Sequence, residues 1–216
     1  MKKFIQKLFP GDSLKAILIV VGINAVAYYL PKVFVVGDYH LMGNSLDAKI
    51  PFIPVFILVY YAAFFQWAYN YIVVAHQDNR FLHKYLLAEV FGLVISMLFF
   101  IFYPTTMDRG DLQLNGVLGF LIKFIYSVDE PTNLFPSLHV YRSYMCTRAA
   151  LKANGVSKFY RVFQVILTAL VCFAIVFVKQ HVVVDIFGGL ILGELTVQIS
   201  KFIFNKFESK GKAFHK

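Results

Sequence analysis

His181-Val-Val-Val-Asp185 and Pro136-Ser137-Leu138-His139 are the stretches of this chain whose residue types could do chemistry. Each lies where a polar junction gives way to an apolar run, and ionisable side chains are expensive at membrane depth. His181 and Asp185 are four residues apart, so on a helix they would share one face about one turn apart. A carboxylate so placed can orient an imidazole and stabilise its charge, leaving the other ring nitrogen free to attack. The plainer alternative is a helix-end histidine beside an unrelated aspartate.

In the second stretch Pro136 suits a first helical turn, where its missing N–H is not needed. The exposed N–H groups of such a turn form a phosphate cradle. Ser137 adds a hydroxyl and His139 stands in the same turn. Arg109, in Tyr103-Pro-Thr-Thr-Met-Asp-Arg109-Gly-Asp, can grip phosphate oxygens with two parallel bonds, or pair with Asp108 or Asp111. No metal site or cofactor is expected: Asp129 and Glu130 read as a solvated loop, and Cys146 and Cys172 as small apolar residues within helices. His40, His76, His83 and His215 read as solvated or interfacial.

The elements that must position these residues are membrane helices. Hydrophobic residues make up 59% of the 216 and charged residues only 15%, far from an average soluble domain. A bilayer core needs about 20 apolar residues per helix. Six spans are expected, at Leu14–Val36, Pro51–Ala75, Leu86–Tyr103, Pro136–Ala150, Phe159–Val178 and Val182–Phe204. The chain is thus expected to be all-α, a single polytopic domain over 1–216. The fourth span is the most polar, with His139, Arg142 and Arg148, and belongs inside the bundle. The N-terminal run has no clear cleavage site and is read as a retained first helix. The stretch 104–135 is expected to be an outer loop, with Gly116-Val-Leu-Gly119 opening a re-entrant or interfacial segment or a plain surface helix. Residues 205–216 are expected to form a cytoplasmic tail.

The formal charge is +9, and its placement gives the orientation. Lys and Arg gather at both termini, around Arg80 and Lys84, and from Arg148 to Arg161. The alternate connections are poorer in them. Positive residues stay inside, so both termini are expected in the cytoplasm of an integral, multi-pass cell-membrane protein. Arg109, His139 and His181 then converge on the outer face. The basic clusters flank membrane helices, where anionic lipid headgroups suffice as partners, so no nucleic acid is expected.

The combination resembles the type 2 phosphatidic acid phosphatase superfamily, whose motifs read Lys-x6-Arg-Pro, Pro-Ser-Gly-His and Ser-Arg-x5-His-x3-Asp. Arg109 matches the first, with Phe102 at its lysine and Gly110 at its proline. Pro136, Ser137 and His139 match the second, with Leu138 for glycine. The form Asn133-Leu-Phe-Pro-Ser-Leu-His is closer to the branch of inositol phosphorylceramide synthases and related bacterial proteins. His181 and Asp185 match the third, with Ala174 and Ile175 for its serine and arginine. The resemblance implies a six-helix core and a phosphohistidine on His181 oriented by Asp185. It implies His139 as general acid, and a phosphate held by Arg109, Ser137 and the following helix. Lys179, Lys123 or Arg142 could stand in for the missing arginine; Arg142 could equally pair with Glu89 or Glu194. The expected function is a metal-independent lipid phosphatase acting on a lipid phosphate ester or pyrophosphate. The alternatives are a lipid headgroup phosphotransferase and a non-catalytic lipid-binding protein.

Overall fold

The computed structural model describes residues 2–35, 37 and 39–213. Val36, the expected outer end of the first span, and His215 and Lys216 of the tail lie outside the described residues. The chain is mostly helical: α1 (Lys2–Leu8), α2 (Ser13–Phe34), α3 (Ser45–Lys49), α4 (Ile57–Ala75), α5 (Asn79–Phe102), α6 (Gly116–Val128), α7 (Leu138–Lys152), α8 (Lys158–Phe177) and α9 (Val183–Ala213). Two short strands, β1 (His40–Met42) and β2 (Thr105–Met107), pair in parallel with His40 opposite Thr105.

Five of these helices are long and apolar enough to cross a membrane: α2, α4 with the 3₁₀ turn that precedes it, α5, α8 and α9 up to Phe207. They point to a multi-pass membrane protein. The expected fourth span is not among them. Its helix, α7, has 15 residues, which at 1.5 Å per residue gives about 22 Å against a core of about 30 Å.

Its polar side chains explain where α7 lies instead. It packs against α4, α8 and α9 in the interior, and hydrogen bonds stitch it there. Trp67 Nε1 of α4 donates to Ser143 Oγ at 3.0 Å. Thr168 Oγ1 of α8 donates to the Ser143 carbonyl at 2.8 Å, and Thr147 Oγ1 donates to that of Gln164 at 3.0 Å. Unpartnered, each group would cost several kcal/mol in an apolar medium.

Helix starts are marked by side-chain caps. Asp78 accepts the Phe81 N–H at 2.7 Å, and Ser157 accepts that of Tyr160 at 3.1 Å. At its other end α9 continues past Asn205 to Ala213, so the expected tail is helical over those residues. Close approach of α9 to α7 depends on Gly189: a Cβ there would lie 2.7 Å from the Ser137 carbonyl oxygen and 2.8 Å from Val140 Cβ.

The 104–135 connection is structured. After β2 it forms α6, which buries Gly119, Ile122 and Ile125. Its opposite face presents Val117, Phe120, Phe124 and Val128, an apolar stripe at helical spacing. Thr105 Oγ1 accepts the N–H groups of Leu134 and Phe135 at 2.9 and 3.1 Å, fastening the end of this connection beside β2 and the start of α7.

Candidate active site

His181 lies just before α9, in the turn that joins it to α8. That turn closes like a Schellman motif: Lys179 N–H donates to the Val176 carbonyl at 3.2 Å and Gln180 N–H to that of Ile175 at 2.9 Å. The same Ile175 oxygen accepts the His181 N–H at 3.0 Å. Lys179 takes the left-handed conformation such a motif needs, with φ +51°.

His181 and Asp185 do meet, though not as neighbours along one helix face. Asp185 stands in the first turn of α9 and reaches back, its Oδ2 lying 3.0 Å from His181 Nδ1 and 3.1 Å from the Val182 N–H. This is the return half of a capping box, so one carboxylate both starts the helix and orients the imidazole. Asp47 of α3 helps by accepting the Val183 N–H at 2.8 Å. Asp185 is wholly buried, and its Oδ1 has no hydrogen-bond partner.

The other imidazole nitrogen, His181 Nε2, lies 3.3 Å from Ser137 Oγ. Ser137 is the N-cap of α7, and its hydroxyl oxygen also accepts the Val140 N–H at 3.4 Å. Pro136 therefore precedes the cap and does not open the helix as expected. The backbone joins the two elements, with Ser137 N–H donating to the Asp185 carbonyl at 3.3 Å. One residue into α7, the His139 ring lies 5.6 Å from the His181 ring, centroid to centroid. Tyr60 and Trp67 pack beside it at 4.5 and 5.4 Å.

His139 and His181 line a cavity of about 340 Å³. Its walls also include Val21, Ala25 and Tyr28 of α2, Phe64 of α4, Val128 of α6 and Arg142 of α7. Two histidines and a guanidinium thus share one largely apolar chamber beside the start of a helix. Such a helix end offers a phosphate backbone N–H groups and a favourable dipole.

Arg109 stands behind this wall. It stacks on Tyr126, its guanidinium carbon 3.7 Å from the ring centre. It donates to the Asp129 carbonyl at 2.8 Å and to Gln180 Oε1. Asp129 and Gln180 line the cavity; Arg109 does not. At the position where the resembling family has proline, Gly110 adopts φ +67°, which a proline ring cannot reach. Phe102, at the family's lysine, ends α5 with 79% of its surface exposed.

Lys179 does not line the cavity either. Its ammonium donates to the carbonyls of Ile50 and Asp47, at 2.6 and 3.3 Å, and so fastens the end of α3. Although Lys179 is close to His181 in sequence, the left-handed turn it occupies sends its side chain away from the cavity. Ile175, at the family's arginine, is wholly buried in an apolar cluster.

Arg142 is the cation that the fold does bring to the cavity, one turn beyond His139. It forms no direct pair with Glu89 or Glu194. Its Nη2 donates to the Tyr71 hydroxyl at 2.8 Å, and that hydroxyl donates to Glu89 Oε2 at 2.7 Å. Glu194 faces Arg148 instead, at 3.3 Å.

Asp129, read from sequence as a solvated loop residue, belongs to this cavity. Tyr28 donates to its Oδ1 and Tyr60 to its Oδ2, the latter at 2.7 Å. Burial alone would raise its carboxyl, but attraction to His139 and these two phenols outweigh that and hold it below the usual carboxylate range. Nothing in the local sequence signals this, because both phenols come from helices more than 60 residues away. Among the described residues no group of three or more His, Cys, Asp or Glu side chains is arranged to hold a metal.

No family model, curated protein or solved structure matches the chain, so the likeness read from its motifs rests on those residues alone.

Proposed function

We propose that this protein is a membrane-embedded phosphatase acting on a lipid phosphate ester or pyrophosphate through a phosphohistidine at His181. One observation carries the reading: His181 has one ring nitrogen on a buried carboxylate and the other beside the cap of α7, and its ring meets that of His139 edge to face on the wall of a shared cavity.

In the proposed reaction His181 Nε2 attacks phosphorus as the bond to the lipid oxygen breaks. His139 gives its proton to the departing oxygen. Water then attacks phosphorus and breaks the P–N bond, its proton passing to His139 as phosphate leaves. The N–H groups opening α7 and Arg142 hold the phosphate oxygens, with Arg142 taking the place of the arginine missing at Ile175. Ser137, which does not line the cavity, stands with its hydroxyl beside His181 Nε2. Arg109 supports the site from behind by fixing Asp129 and Gln180. The apolar walls from α2, α4 and α6 accept the start of the lipid chain.

In this reading α7 is the sixth membrane helix, short and shielded by the other five. The charge bias places both termini in the cytoplasm and the histidines at the outer leaflet. The apolar stripe of α6 then rests in that leaflet beside the cavity.

The test is purified protein in detergent with a panel of lipid phosphates, measuring inorganic phosphate and lipid products. Phosphate release abolished in His181→Ala is the expected result. A new headgroup ester in place of free phosphate would make the protein a transferase, and unchanged turnover in His181→Ala would remove the reading.

A further inference from the structure

A second recess lies at the opposite end of the bundle from the histidines, between the start of α5, the end of α7 and the later part of α9. Its volume is about 370 Å³, similar to that of the histidine cavity. Four cations line it: Lys84 from α5, Arg148 and Lys152 from α7, and Lys201 from α9. No carboxylate is among the lining residues. Arg148 is paired with Glu194, 3.3 Å away and outside the lining.

Lysines that merely flank membrane helices spread around their ends and point into water. These converge from three helices on one concavity. Its floor is apolar, with Met145, Ala149 and Val197 among the lining residues. The helices are fastened beneath it, since Ser200 Oγ of α9 donates to the Lys84 carbonyl at 2.7 Å. Lys84 is further steadied by its ammonium lying 5.5 Å from the centre of the Phe204 ring. Like charges gathered this closely repel one another, and an anion seated among them relieves that.

We propose that this recess binds the phosphate headgroup of an anionic phospholipid, from the membrane leaflet opposite the histidines. A cationic rim over an apolar floor between membrane helices matches a lipid whose charge sits at the surface and whose chain enters below it. The proposal stands on the membrane-spanning fold and does not depend on the phosphatase reading.

The test uses the full chain in detergent, titrated with phosphatidylglycerol, phosphatidylcholine or inorganic phosphate, and reads bound lipid by native mass spectrometry and the shift in melting temperature. Phosphatidylglycerol is expected to bind and raise the melting temperature, with phosphatidylcholine doing neither. Each of Lys84→Gln, Lys152→Gln and Lys201→Gln is expected to weaken binding about five-fold. The triple variant that combines these three changes is expected to lose binding altogether, and because Lys152 is exposed its single variant keeps the test open if that triple does not fold. A control triple, Lys7→Gln, Lys15→Gln and Lys158→Gln, removes the same charge from the same end of the bundle outside the recess and is expected to bind normally. Equal loss in the control would mean diffuse attraction and overturn the proposal. Equal binding of phosphatidylcholine would overturn it, and so would a shift reproduced by inorganic phosphate alone.

Discussion

The carbonyl oxygen of Ile175 accepts the backbone N–H of His181 at 3.0 Å, so the candidate nucleophile hangs from the last turn of α8. The geometry requires a left-handed residue between them, and Lys179 supplies it at φ +51°. An L-residue with a side chain pays about 1 kcal/mol there relative to glycine. Lys179→Ala therefore loses the two bonds to α3 and keeps the strain, whereas Lys179→Gly loses the bonds and relieves it. The glycine variant is expected to be more stable than the alanine variant by about 1 kcal/mol, read from chemical denaturation. Both should keep the wild-type affinity for phosphate, because Lys179 does not line the cavity. A tenfold loss of that affinity in both would put Lys179 back on the phosphate.

Asp185 separates structure from chemistry in one residue. Asp185→Asn keeps the shape, and its amide oxygen can still accept the Val182 N–H. The neutral amide has no negative charge with which to stabilise a positively charged His181 ring, so the nucleophile loses that support. Turnover is expected to fall by roughly two to four orders of magnitude with little change in melting temperature. Loss of folding with no separable loss of turnover would make Asp185 a helix cap and nothing more.

Arg142 is expected to act on the phosphate, and inhibition by inorganic phosphate measures that directly. Arg142→Ala should weaken the inhibition at least ten-fold and lower kcat/KM by roughly two to three orders of magnitude. Arg142→Lys should recover part of both by restoring the charge without the planar fork. A lysine variant as inactive as alanine but equally inhibited by phosphate would assign Arg142 to the Tyr71–Glu89 network alone.

Much of this arrangement could be read from the sequence because it is local or periodic. Long apolar runs gave five helices, and the polarity of His139, Arg142 and Arg148 gave the interior place of α7. The meeting of His139 with His181 followed from charge bias and chain direction. What escaped was set by tertiary packing or by backbone conformation. Gly189 admits Ser137 to van der Waals contact with α9, a fact visible only once the helices are docked. Lys179 lies next to the site in sequence and away from it in space because of a single left-handed turn. Asp129 looks like an ordinary loop acid until Tyr28 and Tyr60 are folded over it.

That placement of Asp129 makes the fold sensitive to acid in a defined direction. Its carboxyl is held below the ordinary value, which is about 3.9 in an unfolded chain. The stabilisation is therefore complete above that value and is lost as the pH falls through the lower, folded one. Asp129→Asn cannot titrate, so it should lack this part of the acid dependence. At pH 7 it should be less stable by about 1–3 kcal/mol, since one phenol loses its carboxylate acceptor. Melting temperatures of both proteins from pH 7 down to the acid limit test this. The two curves should converge below about pH 4 as the wild-type advantage disappears. Parallel curves across that range would show that Asp129 is not held charged by Tyr28 and Tyr60.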